Sequence, residues 1–246
     1  MFADPPLEAA GPQPPRGEWR SSDLLLGAAL LVASILGLTA LLALYAAVSG
    51  ADRGGGVVAA AATLVFEVGL GGIVALLAWR RGLRPRDLGF VRPRRWRPLG
   101  LAWAGVYVAL VAYQLVLALI AALGVDTSGL REGNALPLGD DAGAVELSLL
   151  ALSVVVGAPL GEELFFRALL YRGFRRLWGV LPGIAASALV FASFHLDVGV
   201  LVPFVLVGAL LAWSYEASGS LWVPIAVHAL FNGASFALQL VLEGPG

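Results

Sequence analysis

The chain is expected to be all-α, a polytopic bundle of about seven transmembrane helices, and three observations lead there. Apolar residues occupy 59% of its 246 positions and charged residues only 13%, with a mean hydropathy of +0.85, well outside the balance of a soluble domain. The apolar residues fall in runs close to the ~20 that one crossing of a bilayer requires. The charges collect between the runs, and all sixteen basic residues are Arg. There is no cysteine, which excludes disulfides, thiolate metal sites and a thiol nucleophile.

Taken in order, residues 1–23, with Pro5, Pro6, Pro14, Pro15 and several charges, cannot bury a core and read as a disordered cytoplasmic tail. Leu24 to Val48 is too long for a signal-peptide core and lacks a cleavage site, so it is expected to be a retained first span. Val57 to Trp79 and Leu99 to Leu123 complete an N-terminal region, 24–143, of three helices with a basic loop at 80–98. A C-terminal core, 144–246, expected to hold the catalytic cavity, has four more: Ala144 to about Tyr171, Pro182 to about Leu196, Val198 to Tyr215, and Leu221 to Leu242. The fifth run is barely long enough to cross and is parted from the sixth only by Asp197 to Gly199, which predicts a hairpin that does not fully span.

Orientation follows from arginine. Arg80 to Pro98 carries eight Arg against one Asp, whereas Gly124 to Gly143 carries one Arg against Asp126, Glu132, Asp140 and Asp141. The positive-inside bias puts the first loop in the cytoplasm, and with it the N-terminal tail and Arg172, Arg175 and Arg176. The basic loop reads as a topology signal and anionic-lipid contact and not as a nucleic-acid surface. With its Arg- and Ala-rich composition, the chain is expected in a bacterial inner membrane. No internal repeat suggests a transporter of two halves.

Ionisable side chains inside hydrocarbon are costly, at ~2.5 to 3.5 kcal/mol each on insertion scales, so those present propose a site. The fourth run contains Gly161-Glu162-Glu163-Leu164-Phe165-Phe166-Arg167. In an α-helix Glu163 and Arg167, at i,i+4, share a face and form a structural pair. Glu162 lies five residues from Arg167, points away, and is left free for proton transfer at a cavity. The two histidines of the chain are His195, in Phe191-Ala192-Ser193-Phe194-His195, and His228, in His228-Ala229-Leu230-Phe231-Asn232. His228 and Asn232 at i,i+4 can aim an imidazole and a carboxamide at one oxyanion. His195 could pair with Glu162 to polarise a water. At ~1.5 Å rise per residue, Glu162, His195 and His228 all fall roughly 10 to 20 Å from the same membrane face.

At these residues the sequence resembles the CPBP intramembrane proteases, the family of the CAAX prenyl endopeptidase and of bacterial Abi or bacteriocin-immunity proteins. Its EExxxR, FxxxH and HxxxN patterns match Glu162-Glu163 with Arg167, Phe191 with His195, and His228 with Asn232. The resemblance covers roughly Ala144 to Leu242. It implies a helical bundle around a water-filled cavity opening toward the cytoplasm and the lipid, and an endopeptidase acting on a membrane-associated protein or peptide. By that analogy Glu162 is the general base on water, His195 positions the water, His228 and Asn232 hold the oxyanion, and Glu163, Arg167 and Phe191 are structural or orienting. A metal-free reaction with no cofactor is favoured, with zinc on Glu162, His195 and His228 as the alternative. A non-catalytic scaffold or immunity protein of the same fold, or a proton-coupled transporter, are the competing readings.

Other polar features carry less. Glu67 is expected either to line the cavity or to pair with another helix, and Glu146 to sit at the outer interface. Gly69, Gly71 and Gly72 read as close helix packing, and Trp79, Trp96, Trp178 and Trp222 as an interfacial belt.

Overall fold

The computed structural model describes residues 18–50, 56–130 and 142–243, and its helices account for the fold. In chain order they are α1 (Ser21–Ser49), α2 (Gly56–Arg81), α3 (Arg97–Ala122), α4 (Ala144–Trp178), α5 (Val180–Phe194), α6 (Val198–Ser218) and α7 (Trp222–Glu243). Six are long and apolar enough to cross a membrane, α5 being the exception. The protein is therefore an integral membrane protein. Leu25, Leu36 and Leu44 of α1 and Val108, Leu115 and Leu119 of α3 stay exposed, as expected of surfaces that face acyl chains and not water.

The helix ends agree with the apolar runs to within about three residues except at α4, which continues through Trp178 and carries Arg172, Arg175 and Arg176 on helix. The hairpin expectation is met by one arm. α5 has 15 residues, about 22 Å against a core of ~30 Å, while α6 has 21 and is long enough. They meet at a tip where Leu196 adopts φ 53° and Asp197 Oδ1 accepts the Gly199 N–H at 2.8 Å, capping α6. Gly208 lets α6 close on α5, since a Cβ there would stand 3.0 Å from the Phe191 ring and 3.1 Å from Ala188 Cα.

The expected tail is corrected at its last six residues. Trp19 is buried and its Nε1–H donates to the Ala168 carbonyl of α4 at 2.5 Å. Arg20 N–H donates to Asp23 Oδ2 at 2.8 Å, starting α1, and Asp23 pairs with Arg81 of α2 at 2.7 Å. An indole that finds an acceptor gains both burial and a hydrogen bond. Residues 1–17 lie outside the described residues.

The basic loop is also folded, not loose. After a 3-10 turn at Pro85–Leu88 it runs under the bundle, bonded to the α6–α7 turn: Arg94 N–H to Ser218 O at 3.0 Å, Leu221 N–H to Gly89 O at 2.8 Å, and Ser220 Oγ to Val91 O at 2.5 Å. Tyr215 Oη donates to Leu88 O at 3.2 Å, and Arg172 reaches the Asp87 carbonyl. Gly89, at φ 101°, is where Tyr215 presses closest, and a Cβ would fall 2.8 Å from its ring. At the opposite end Glu146 accepts the Gly56 N–H at 3.2 Å, an acid at a helix N-terminus. There too Asp126 accepts the Ser128 N–H at 2.9 Å, which holds its carboxyl below the ordinary range and opens the 3-10 turn Ser128–Leu130. Trp79, Trp96, Trp178 and Trp222 are all exposed at the arginine-rich end, where a belt belongs.

Candidate active site

The site is built on an irregular stretch of α4. Ser153–Gly157 and Glu163–Tyr171 are wound as π-helix around a single α turn, Ala158–Glu162. π turns are uncommon and concentrate where function needs a side chain re-aimed. One cause is Pro159. In the first π turn the Ala158 N–H reaches the Ser153 carbonyl five residues back, so the Val154 carbonyl would need the N–H of residue 159, which proline lacks. Asn232 of α7 supplies it, its Nδ2 donating to Val154 O at 2.9 Å. Ser187 Oγ donates to the Phe166 carbonyl at 2.9 Å in the second π turn, as Trp19 does to Ala168.

Two glycines one turn apart bring α2 onto this stretch. A Cβ on Gly157 would stand 3.2 Å from the Glu67 Cβ, and one on Gly161 would fall onto the Glu67 carbonyl oxygen. The small-residue notch that permits close approach thus lies on α4. Of the three α2 glycines expected to serve, only Gly71 has a neighbour near enough, Leu164 at 3.5 Å. The contact carries Glu67 to the neighbourhood of Glu162. Glu67 is buried, and its Oε2 has no protein partner.

Glu162 and Glu163 then divide as expected, though the angular reason changes. In a π turn the partner lies five residues on, so spacing alone no longer parts Glu162 from Arg167. What parts them is burial on different sides. Glu163 and Arg167 are both wholly buried with Nε 3.0 Å from Oε2, a charge contact off the hydrogen-bond axis. The guanidinium lies 4.7 Å above the Phe191 ring, a cation–π contact in a dry setting. Glu162 instead lines a cavity of about 470 Å³ together with His195, His228, Asn232, Phe191 and Glu67.

Glu163 does more than neutralise Arg167. Its Oε1 lies 3.0 Å from His228 Nδ1, so Glu163 sets the ring's orientation and directs Nε2 toward Glu162 Oε2, 4.0 Å away. That gap is too long for a hydrogen bond, yet an oxygen about 2.8 Å from both atoms would sit at an angle of roughly 90°. His195 is held by its own helix, Nδ1 being 2.9 Å from the Phe191 carbonyl, and its ring stands edge-on to Phe204 at 4.4 Å. With Nδ1–H donated there, Nε2 carries the lone pair. His195 makes no direct contact with Glu162 among the described contacts and shares the cavity with it, while His228 Nε2 stands nearer the carboxylate. Glu162, His195 and His228 do not gather as a ligand set, and among the described residues no three His, Cys, Asp or Glu form a group that could hold a metal.

Two expectations about the cavity are corrected. It is not confined to the C-terminal four helices, because α2 supplies Thr63 and Glu67 and α3 supplies Leu110, Tyr113 and Gln114. Nor does its lining run toward the arginine-rich end, as the implied cytoplasmic opening required. It climbs α7 from His228 through Asn232 and Ser235 to Gln239, and reaches Leu130 in the loop after α3. Ser235, Gln239 and Thr63 also line the cavity, and sequence reasoning missed them. For Ser235 and Gln239 the signal was spacing, since His228, Asn232, Ser235 and Gln239 step by four, three and four along α7 and therefore share a face.

No curated protein and no solved structure matches the chain. Residues 144–234, which carry Glu162, Glu163, Arg167, His195, His228 and Asn232, match the family model described as type II CAAX prenyl endopeptidase Rce1-like. Over that segment, the C-terminal core, the chain is similar to the CAAX-type prenyl endopeptidases, a family of membrane proteases.

Proposed function

We propose that the protein is an intramembrane endopeptidase that hydrolyses a peptide bond of a membrane-associated protein with a water activated by Glu162 and His195. The observation that carries this reading is that Glu162, His195, His228 and Asn232, from three helices, line one cavity. A water there can give one hydrogen bond to the Glu162 carboxylate and one to His195 Nε2, which leaves an oxygen lone pair for the scissile carbonyl carbon. As the C–O bond forms, Glu162 takes the proton. The carbonyl oxygen becomes an oxyanion beside His228 and Asn232. For that donation Glu163 holds the ring at Nδ1 and turns Nε2 toward the oxyanion, while Asn232 uses the amide N–H that Val154 does not. Glu162 then returns its proton to the amide nitrogen, the C–N bond breaks, and a carboxylate and an amine leave. No metal takes part in these steps. The reading places the protein in a bacterial inner membrane, its arginine-rich end in the cytoplasm.

Glu162→Gln keeps the shape and removes the base. Membranes carrying it should accumulate an uncleaved precursor absent from wild type, with cleavage down about 10²- to 10⁴-fold and the thermal unfolding of the purified protein unchanged. Full activity of Glu162→Ala in cells would instead make the protein a non-catalytic membrane partner.

A further inference from the structure

We infer that the upper cavity is a groove for an extended peptide that enters from the membrane face opposite the arginine-rich loops, so that the substrates are the extracytoplasmic juxtamembrane segments of membrane proteins. This rests on the hydrolytic reading above. Between its ends, α7 has four strongly hydrogen-bonding side chains, His228, Asn232, Ser235 and Gln239, and all four line the cavity. On the facing side the two polar residues of the α2 interior, Thr63 and Glu67, do the same. Polar groups in apolar spans are costly and face the interior when they serve something there. An extended chain brings an unpaired N–H and C=O at every residue, and such groups need partners away from water. Hydroxyls and a carboxamide, which both donate and accept, suit that need.

The length fits. From Asn232 to Gln239 the helix climbs seven residues, about 10 Å, which matches roughly three residues of extended chain at ~3.3 Å each. The direction is set by what closes the other end. There the loop before α3 is hydrogen-bonded across the α6–α7 turn, through Arg94 to Ser218 at 3.0 Å and Leu221 to Gly89 at 2.8 Å. At the far end the short α5 stops at Phe194, and the lining continues above it to Leu130 and Gln239. The eight Arg of 80–98 assign the closed end to the cytoplasm, so the polar lining leads from His228 toward the outer face.

The absence of cysteine makes the test direct. Ser235→Cys, Gln239→Cys and, on the opposite wall, Thr63→Cys are each exposed to a charged, membrane-impermeant maleimide in spheroplasts and in inverted vesicles, with Arg86→Cys as the marker of the arginine-rich face. At least two of the groove cysteines should react tenfold or more faster in spheroplasts, and Arg86→Cys in inverted vesicles. Faster reaction from the Arg86→Cys side, equal rates from both, or no reaction from either overturns the inference. Mapping the cut sites of precursors that accumulate with Glu162→Gln separates the two claims. Cut sites in cytoplasmic segments sink this groove but leave the protease standing, whereas outward labelling with no accumulating precursor sinks the protease and leaves an open groove.

Discussion

Asn232 is placed to serve two masters, a helix backbone and an oxyanion, and the two can be pulled apart. Asn232→Leu removes the donor to the Val154 carbonyl, which Pro159 has left without its π-turn partner. A carbonyl stripped of its hydrogen bond in this half-buried, apolar setting costs about 1–3 kcal/mol. Pro159→Ala gives that carbonyl a backbone N–H, so the Asn232→Leu substitution should cost less in the Pro159→Ala background, with a coupling of about 1 kcal/mol or more. The assay is equilibrium unfolding in mixed micelles by SDS titration, followed by the fluorescence of the seven tryptophans, on the four members of the cycle. Contacting residues couple, while independent ones add to within about 0.5 kcal/mol. Additivity would therefore refute the claim that Asn232 repairs what Pro159 breaks. Cleavage is read on the same four proteins. Loss of an oxyanion donor costs about 10²- to 10³-fold, and Pro159→Ala should not restore it, because a backbone N–H spent on Val154 cannot reach the substrate.

Three further outcomes follow from other contacts. Arg167→Met leaves Glu163 wholly buried with His228 as its remaining partner, and should destabilise the fold by about 3–5 kcal/mol in the same titration; adding Glu163→Gln should recover a large part of that loss, and a double variant no better than the single would contradict the pairing. Gly161→Ala drives a methyl into the Glu67 carbonyl and should cost about 1–3 kcal/mol, against less than about 0.5 kcal/mol for Gly69→Ala, where nothing stands within 4 Å. Leu196→Asn, at an exposed position with φ 53°, should raise stability by about 0.5–1 kcal/mol, since Asn tolerates the left-handed region that leucine does not; a fall would show that the leucine is held there by something other than the turn.

Much of this architecture could be read from the sequence because a bilayer leaves few options. Runs such as Leu24 to Val48 have one way to satisfy their backbone, so their ends came out close. The i,i+4 spacing of Glu163 and Arg167 survives in either helix type, so their pairing was legible, while the angular reason for setting Glu162 apart belongs to an α geometry that this stretch does not adopt. π turns leave little mark on residue pattern; Pro159 was the visible hint, and its meaning depends on Asn232, 73 positions away. Glu67 could not be placed because what brings it in is the notch at Gly157 and Gly161, on another helix. The upper stripe on α7 was legible and overlooked, since Ser235 and Gln239 continue the His228–Asn232 face at helical spacing. Trp19 escaped notice because proline-rich surroundings say nothing about one indole that finds an open carbonyl.

That indole has a consequence for how the molecule is put together. Trp19 and its acceptor stand 149 residues apart, and at about 5–20 residues per second of synthesis the ring waits roughly 7–30 s before Ala168 exists. The earliest segment of the bundle to be made is thus among the last to be fastened. Until then α1 has its neighbour α2 and the Asp23–Arg81 pair for company, and the quenching or shift of a lone tryptophan at position 19 would time the moment when the fourth helix arrives.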